Sequence, residues 1–357
     1  MLSQTTLVLK HKEAQNRFLI FLKDKRKKSI FKMLWEVSYL WISKREIPFY
    51  YFKYQYRKSV TNFKDYLSTK EGIRIQQDNL LHNDELISIM ANKLSFSLYC
   101  KKNRLPNAKM VSYNLDSNFF FEDEVFKVKS FEDLFHFFNH LFDKTALQSI
   151  FIKPLAQYGG AGCFKINKNN LKEDIKHCSE YVIGTGYIHE ELIQQHEGIN
   201  KIHKNCINSV RLLTYIDKNK STNIIVAYMR FGIGKSVVDN VSSGGFQVGI
   251  NIEKGTLHEK GYQDMEFGGA EFYEHPTSGF VFKDFKIPYF EEILDLTYKA
   301  SDFLPDRIIG WDISITPNGP ILIEANEYPS IFAADIIYGG LKKHPKIKEL
   351  LSELKIN

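Results

Sequence analysis

An α+β protein built mainly on antiparallel sheets is what this 357-residue sequence predicts. Two paired apolar runs are joined by tight-turn signals, Lys218-Asn219-Lys220 and Pro317-Asn318-Gly319, as in hairpins. The helical periodicities lie in blocks before and after the strand-like runs instead of alternating with them, which argues against a βαβ array. A hydrophobic content of 43% is ordinary for a globular chain, so a large core is available at a length that suits two or three lobes.

Residues 1–78 read as helical and basic, with 17 Lys/Arg against 7 Asp/Glu, while the remaining 279 residues hold 31 against 35. All the net basicity therefore sits in the N-terminal fifth. Two readings stay open for it. Its interleaved aromatics, as in the run 47–58, pack inward under a solvated basic face, or the segment leans on an anionic lipid surface. Nucleic acid is not expected, because no reading motif accompanies the charge. No apolar run approaches the roughly 18 residues of a membrane span, and the basic block follows the N-terminal apolar stretches, the wrong order for a secretory signal. Cys100, Cys163, Cys178 and Cys206 lack CxxC spacing, so free thiols and a cytoplasmic setting are expected, peripheral at the inner membrane face only on the lipid reading.

Leu86, Ile89, Met90, Leu94 and Leu98 have helical spacing and predict one helix over 83–102, capped by Asn83 or Asp84 and closed by Leu105-Pro106. A strand is expected at 108–113. Ser130 and Asp133 open a capping-box helix whose stripe of Phe131, Leu134, Phe135, Phe138, Leu141 and Phe142 is core. Strands are expected at 149–154 and 163–166, with pieces at 181–183 and 187–188. The paired runs 209–217 and 222–231, then 310–316 and 319–324, complete the sheets, and helices at 288–303 and 343–355 close the fold.

Asp312, Glu324 and Asn326 straddle the Pro-Asn-Gly turn. Alternate strand residues share a face, so Glu324 and Asn326 point together, and an antiparallel register can set Asp312 beside them. Two carboxylates and an amide oxygen are hard ligands suited to Mg²⁺, with Glu324 bridging two ions; alone, they could equally be ordinary exposed acids. Lys153 ends a strand just before the loop Gly159, Gly160, Gly162. Glycines let backbone N–H groups approach phosphate oxygens and the ammonium supplies countercharge, although a tight hairpin would use the same glycines. Glu190 and Glu191, with backbone amides through Ile193, could read an adenine edge, and Glu197 could accept from ribose. Arg211 and Arg230, followed by Asp239-Asn240 and Ser243-Gly244-Gly245, suit a phosphoryl-transfer site, where guanidiniums neutralise developing charge.

The order of these parts resembles the ATP-grasp superfamily over about residues 79–330, some 70% of the chain. Within it the sequence is similar to the sugar-transfer-associated ATP-grasp group. The likeness rests on Asn208-Ser209-Val210-Arg211-Leu212-Leu213-Thr214, on Arg230 with Val238-Asp239-Asn240 and Gly244-Gly245, and on Gly310-Trp311-Asp312-Ile313 with Gly319-Pro320 and Glu324-Ala325-Asn326. It implies two α+β lobes clamping ATP, divided as 79–190 and 191–357 behind the helical extension 1–78. It also implies an ATP- and Mg²⁺-dependent carboxylate–amine ligase working through an acylphosphate in cell-surface polysaccharide or related biosynthesis. Lys93 and Lys153 look like the nucleotide lysines, Glu190, Glu191 and Ile193 the adenine hinge, and Glu197 the ribose ligand. Asp312, Glu324 and Asn326 match the magnesium ligands, and Arg211, Arg230 and Asn240 the catalytic set. Many members begin with a Rossmann-like lobe, which residues 1–78 do not resemble, so acceptor recognition does not carry over. A kinase on the same fold and a non-catalytic nucleotide-binding or interaction protein are the rival readings.

Overall fold

The strand-forming runs assemble into two sheets whose ladders are antiparallel throughout. The structure, a computed structural model, describes residues 16–157, 159–236, 239 and 244–355. Among these, no helix is long and apolar enough to cross a membrane.

Helices α1 (Arg17–Lys23), α2 (Ile30–Lys44) and α3 (Thr69–Gln77) come first. Helix α3 opens on a complete capping box. The Ser68 hydroxyl accepts from the Glu71 N–H, and the Glu71 carboxylate accepts from the Ser68 N–H. The single helix expected over 83–102 is instead two, α4 (Asp84–Met90) and α5 (Lys93–Lys102). Asn92 makes the break: its side-chain oxygen accepts from the N–H groups of Leu94 and Ser95 and starts a new helix with Lys93 in its first turn.

The first sheet is formed by β1 (Met110–Asp116), β2 (Asn118–Phe121), β3 (Glu124–Lys127), β4 (Ser149–Pro154), β5 (Phe164–Asn167) and β6 (Thr185–Glu191), in the order β3-β2-β1-β6-β4-β5. Helices α6 (Phe131–Thr145) and α7 (Leu171–Val182) back it through an aromatic core that includes Phe119, Phe138 and Phe142. The strand piece expected at 181–183 is therefore wrong. Leu171, Ile175, Cys178 and Val182 are buried at helical spacing while Tyr181 faces solvent, and that longer period decides the local structure.

The second sheet is larger: β7 (Val210–Ile216), β8 (Thr222–Phe231), β9 (Phe246–Asn251), β10 (Thr256–Gln263), β11 (Glu271–Phe272), β12 (Ile308–Thr316) and β13 (Gly319–Asn326). Its order is β11-β10-β9-β8-β7-β12-β13. Short α8 (Glu197–Asn200) precedes it, and α9 (Phe290–Phe303), α10 (Phe332–Ile337) and α11 (Pro345–Glu353) complete the chain's helices. Leu212, Trp311 and Ile313 pack with α4, α5 and α9. Leu213, Tyr215 and Ile308 pack against α3, α10 and α11. Side chains alternate along a strand, so Arg211 and Asp312 fall on this second face, beyond the helices that cover it.

The aromatic run after α2 packs inward as one of the two readings had it. Tyr50, Tyr51, Tyr54, Tyr56, Phe63 and Tyr66 form a core with Met265 from the larger sheet's side. Arg57 anchors this region by pairing with Glu271 at 3.0 Å and donating to the Gly269 carbonyl at 2.7 Å.

Buried Asp335 in α10 joins three segments. Its carboxylate accepts from the Leu67 N–H at 2.9 Å and the Leu341 N–H at 2.7 Å. Asp335→Ala leaves both donors without a partner, an expected loss of about 3 kcal/mol of stability. Denaturant unfolding checks this, and an unchanged midpoint with an unchanged slope refutes it.

Candidate active site

Ladder register builds the site. Arg211 of β7 pairs with Asp312 of β12, and Asp312 pairs with Glu324 of β13, so a guanidinium and two carboxylates stand in one row across three strands. Gly310 pairs with Asn326 one step along. A Cβ at Gly310 would lie 2.6 Å from the Pro329 side chain and 3.5 Å from Arg211, so glycine is what lets the chain after β13 close over this row. The register shift between Asp312 and Ile313 re-aims side chains there, as bulges do.

Asp312 is fully buried and held by two arginines. Arg211 forks onto it, Nε to Oδ1 and Nη2 to Oδ2, the latter at 2.8 Å, and Arg230 Nη2 reaches Oδ2 at 2.9 Å. Burial alone would raise the Asp312 carboxyl; the guanidiniums of Arg211 and Arg230 outweigh it and hold the group well below the usual carboxylate range. Glu324 moves the other way, raised by burial and then by the charge of Asp312. Two adjoining carboxylates thus differ in charge preference, one held ionised by guanidiniums and the other pushed toward its neutral form. The Asn326 amide nitrogen donates to the Gly310 carbonyl at 3.1 Å, which leaves its oxygen as the available acceptor.

The first sheet supplies the opposing charges. Lys153 ends β4, is almost fully buried, and pairs with Glu190 of β6 at 2.5 Å. Burial would lower the Lys153 ammonium, but Glu190 and then Glu324 overcome it and raise it. The chain just before β1 pairs with β13 at Asn107 and Leu322, which brings the two sheets together here. Lys93 donates through Nζ to the Gln157 carbonyl at 2.6 Å, and its N–H reaches the Leu155 carbonyl. The helix break at Asn92 thus sets Lys93 on the glycine loop. Gly159, Gly160 and Gly162 all adopt positive φ, the left-handed region that favours glycine.

Glu191 pairs with Lys109 at 2.5 Å. With Ile193 it lines a cavity of about 740 Å³ that runs from the segment after β6 to α9 and the β12–β13 turn. Asp312, Glu324 and Asn326 do not line that cavity, nor does Glu197, which lies exposed at the start of α8. Asn240 lies outside the described residues.

Two participants were missed in the sequence. Asp239 accepts from the Ser209 N–H at 2.8 Å and hydroxyl at 2.5 Å, and Arg230 Nε and Nη2 donate to the Ser209 hydroxyl at 2.9 and 2.6 Å. This relay fixes Arg230. Both residues stand inside motifs singled out for their arginines, and a serine two residues before an arginine was the available signal. Asn208 of the same motif is structural: its amide holds the Gln195 side chain and the His203 and Cys206 carbonyls.

Two facing α+β halves, with a glycine loop on one and an Arg–Asp–Glu row on the other, constitute an ATP-grasp fold. The chain belongs to the sugar-transfer associated ATP-grasp family, whose family model matches residues 49–349. It is similar in structure to a D-alanyl-alanine synthetase A from Vibrio cholerae, at 12% identity and a TM-score of 0.46 over 76% of this chain and 66% of that one. It is likewise similar to the VanG D-Ala:D-Ser ligase from Enterococcus faecalis, at 13% identity and 0.43 over 75% of this chain and 62% of that one. A third similar structure is ATP-grasp ligase PsnB complexed with a phosphomimetic variant of its minimal precursor, Mg and ADP, at 13% identity and 0.43 over 77% and 61%. The chain thus spans less than two thirds of the length of each. No curated protein matches it.

Proposed function

We propose that this protein is an ATP- and Mg²⁺-dependent carboxylate–amine ligase that works through an acylphosphate, acting in the cytoplasm on glycan or related small-molecule substrates. The observation that carries the reading is the buried Arg211–Asp312–Glu324 row, with Arg230 on Asp312, facing Lys153 across the two sheets.

In this reading Lys93, Lys153 and the backbone N–H groups of the glycine loop bind the triphosphate, while Glu190, Glu191 and Ile193 lie at the adenine. Glu197, exposed on α8, is assigned to the ribose only if the hinge closes on it. Asp312, Glu324 and the Asn326 oxygen fit a hard divalent cation, and a second ion would share Glu324. Among the described residues no three His, Cys, Asp or Glu side chains gather to hold a metal. The donor set is thus too small for a cage and suits an ion that keeps waters and phosphate oxygens. When bound, Mg²⁺ neutralises charge on the transferring phosphates.

A substrate carboxylate oxygen attacks the γ-phosphorus as its bond to the β–γ bridging oxygen breaks, and ADP leaves. The amine nitrogen then attacks the acyl carbon, phosphate departs, and the nitrogen gives up a proton. No side-chain nucleophile is required. Arg211 and Arg230 stabilise the charge that builds on the transferred group, and the Ser209–Asp239 relay keeps Arg230 aimed.

ADP release is expected to need both a carboxylate and an amine, and hydroxylamine in place of the amine is expected to give a hydroxamate. A stable phosphorylated product formed with no amine present would identify a kinase instead.

A further inference from the structure

Helix α2 is turned inside out. Its inward side is fixed by Leu40 and by Glu36, which accepts from Lys28 Nζ at 2.6 Å and the Tyr51 hydroxyl at 2.5 Å in a buried cluster. The helix therefore cannot roll to hide its other side. That other side holds Ile30, Phe31, Leu34, Trp35, Trp41 and Ile42, all more than half exposed, with Phe31 at 86% and Ile42 at 78%. At about 100° per residue these six fall within one arc of about 140°, a continuous apolar stripe two helical turns and more in length. A stripe of that width ordinarily faces a core; here it faces outward. Helix α1 repeats the pattern, with Phe18, Leu19 and Leu22 exposed on one side.

Charge identifies the occupant. Residues 16–58 contain twelve Lys/Arg and three Asp/Glu. All three acids are engaged: Asp24 with Arg26 and Arg57, Glu36 with Lys28, and Glu46 with the N–H groups of Thr69 and Lys70. Lys32 within α2 and Arg45 at its C-terminal end are exposed, as are Lys23 and Lys25 at and just after the end of α1. Aromatic and aliphatic side chains in a segment where cations outnumber acids match the interface of a bilayer with anionic headgroups. A second copy of this chain would bring like charge against like charge.

We infer that the outer face of α2 docks the protein on an anionic phospholipid surface, with Phe31, Trp41 and Ile42 in the headgroup–acyl boundary and the surrounding lysines over the phosphates. This is independent of the ligase reading.

Sedimentation of the full chain with vesicles tests it. Binding to vesicles of about 30% phosphatidylglycerol in phosphatidylcholine is expected to exceed binding to phosphatidylcholine alone at least ~10-fold, and to fall steeply as salt rises to ~0.5 M. Trp311 is fully buried, so a blue shift of tryptophan emission on these vesicles reports Trp35 and Trp41. Phe31→Glu/Ile42→Glu alters only exposed positions and is expected to lose vesicle binding and the blue shift with an unchanged unfolding midpoint. Equal binding to neutral vesicles overturns the assignment of anionic lipid. So does an absence of binding, whether the chain is then monomeric or forms a dimer that the double variant dissolves.

Discussion

Glu324→Gln is expected to cut ATP turnover by about 100- to 1,000-fold and to raise the Mg²⁺ concentration needed for the remainder. The unfolding temperature should hardly move. The reason lies in how the two acids of the row are held. Asp312 accepts from Arg211 and Arg230 in a buried site, so removing its charge strands two guanidiniums and costs about 3–5 kcal/mol besides any catalytic effect. Glu324, whose carboxyl is already raised by burial and by Asp312, gives up its charge cheaply. Steady-state kinetics over a Mg²⁺ series with parallel thermal unfolding makes the comparison. Wild-type turnover and Mg²⁺ dependence in Glu324→Gln would refute the metal assignment. Equal stability of Asp312→Asn and wild type would refute the account of the arginines.

The second large effect is expected at Lys153. Lys153→Met should weaken ADP binding about 10- to 100-fold, because a charge-assisted contact to phosphate is lost in a dry site. It should also destabilise the fold by about 3 kcal/mol, because Glu190 is left buried with its partner gone. The double variant Lys153→Met/Glu190→Gln separates these effects. It should regain most of the stability and none of the nucleotide affinity, as read by fluorescent-ADP titration beside chemical unfolding. Recovery of both would reduce Lys153 to half of an internal ion pair.

The sequence was most legible where local chemistry and tertiary position agree. The Pro317-Asn318-Gly319 turn dictates the β12–β13 pairing, and the register shift between Asp312 and Ile313 then sets Asp312 against Glu324, where an unbroken period of two would have opposed it to Ile323. The capping box at Ser130 and Asp133 and the stripe behind it are present as read. Legibility failed where a polar side chain made the decision. Asn92 splits one apolar periodicity into two helices, which spacing alone cannot reveal. The β2–β3 hairpin turns through Glu122 at positive φ, an unusual choice that gave no turn signal. Strands β9 and β10 went unread because Gly249 and Gly261 interrupt them; each is packed so closely that an added Cβ would lie 2.4 Å from His258 or 2.9 Å from Phe246. For the N-terminal fifth, inward packing describes only part of the segment. The aromatics after Pro48 mostly turn inward, whereas those of α2 face out.

The row of pairs across the facing sheets has one more consequence, for electroneutrality. Lys93, Lys153, Arg211 and Arg230 are set against Glu190, Asp239, Asp312 and Glu324, cation for acid. These eight described groups thus give the cleft no surplus positive charge with which to greet a triphosphate. A polyanion entering it needs countercharge from outside the polypeptide, so nucleotide and divalent cation should bind as thermodynamically linked partners. The affinity for each rises with the concentration of the other, as reciprocal coupling requires.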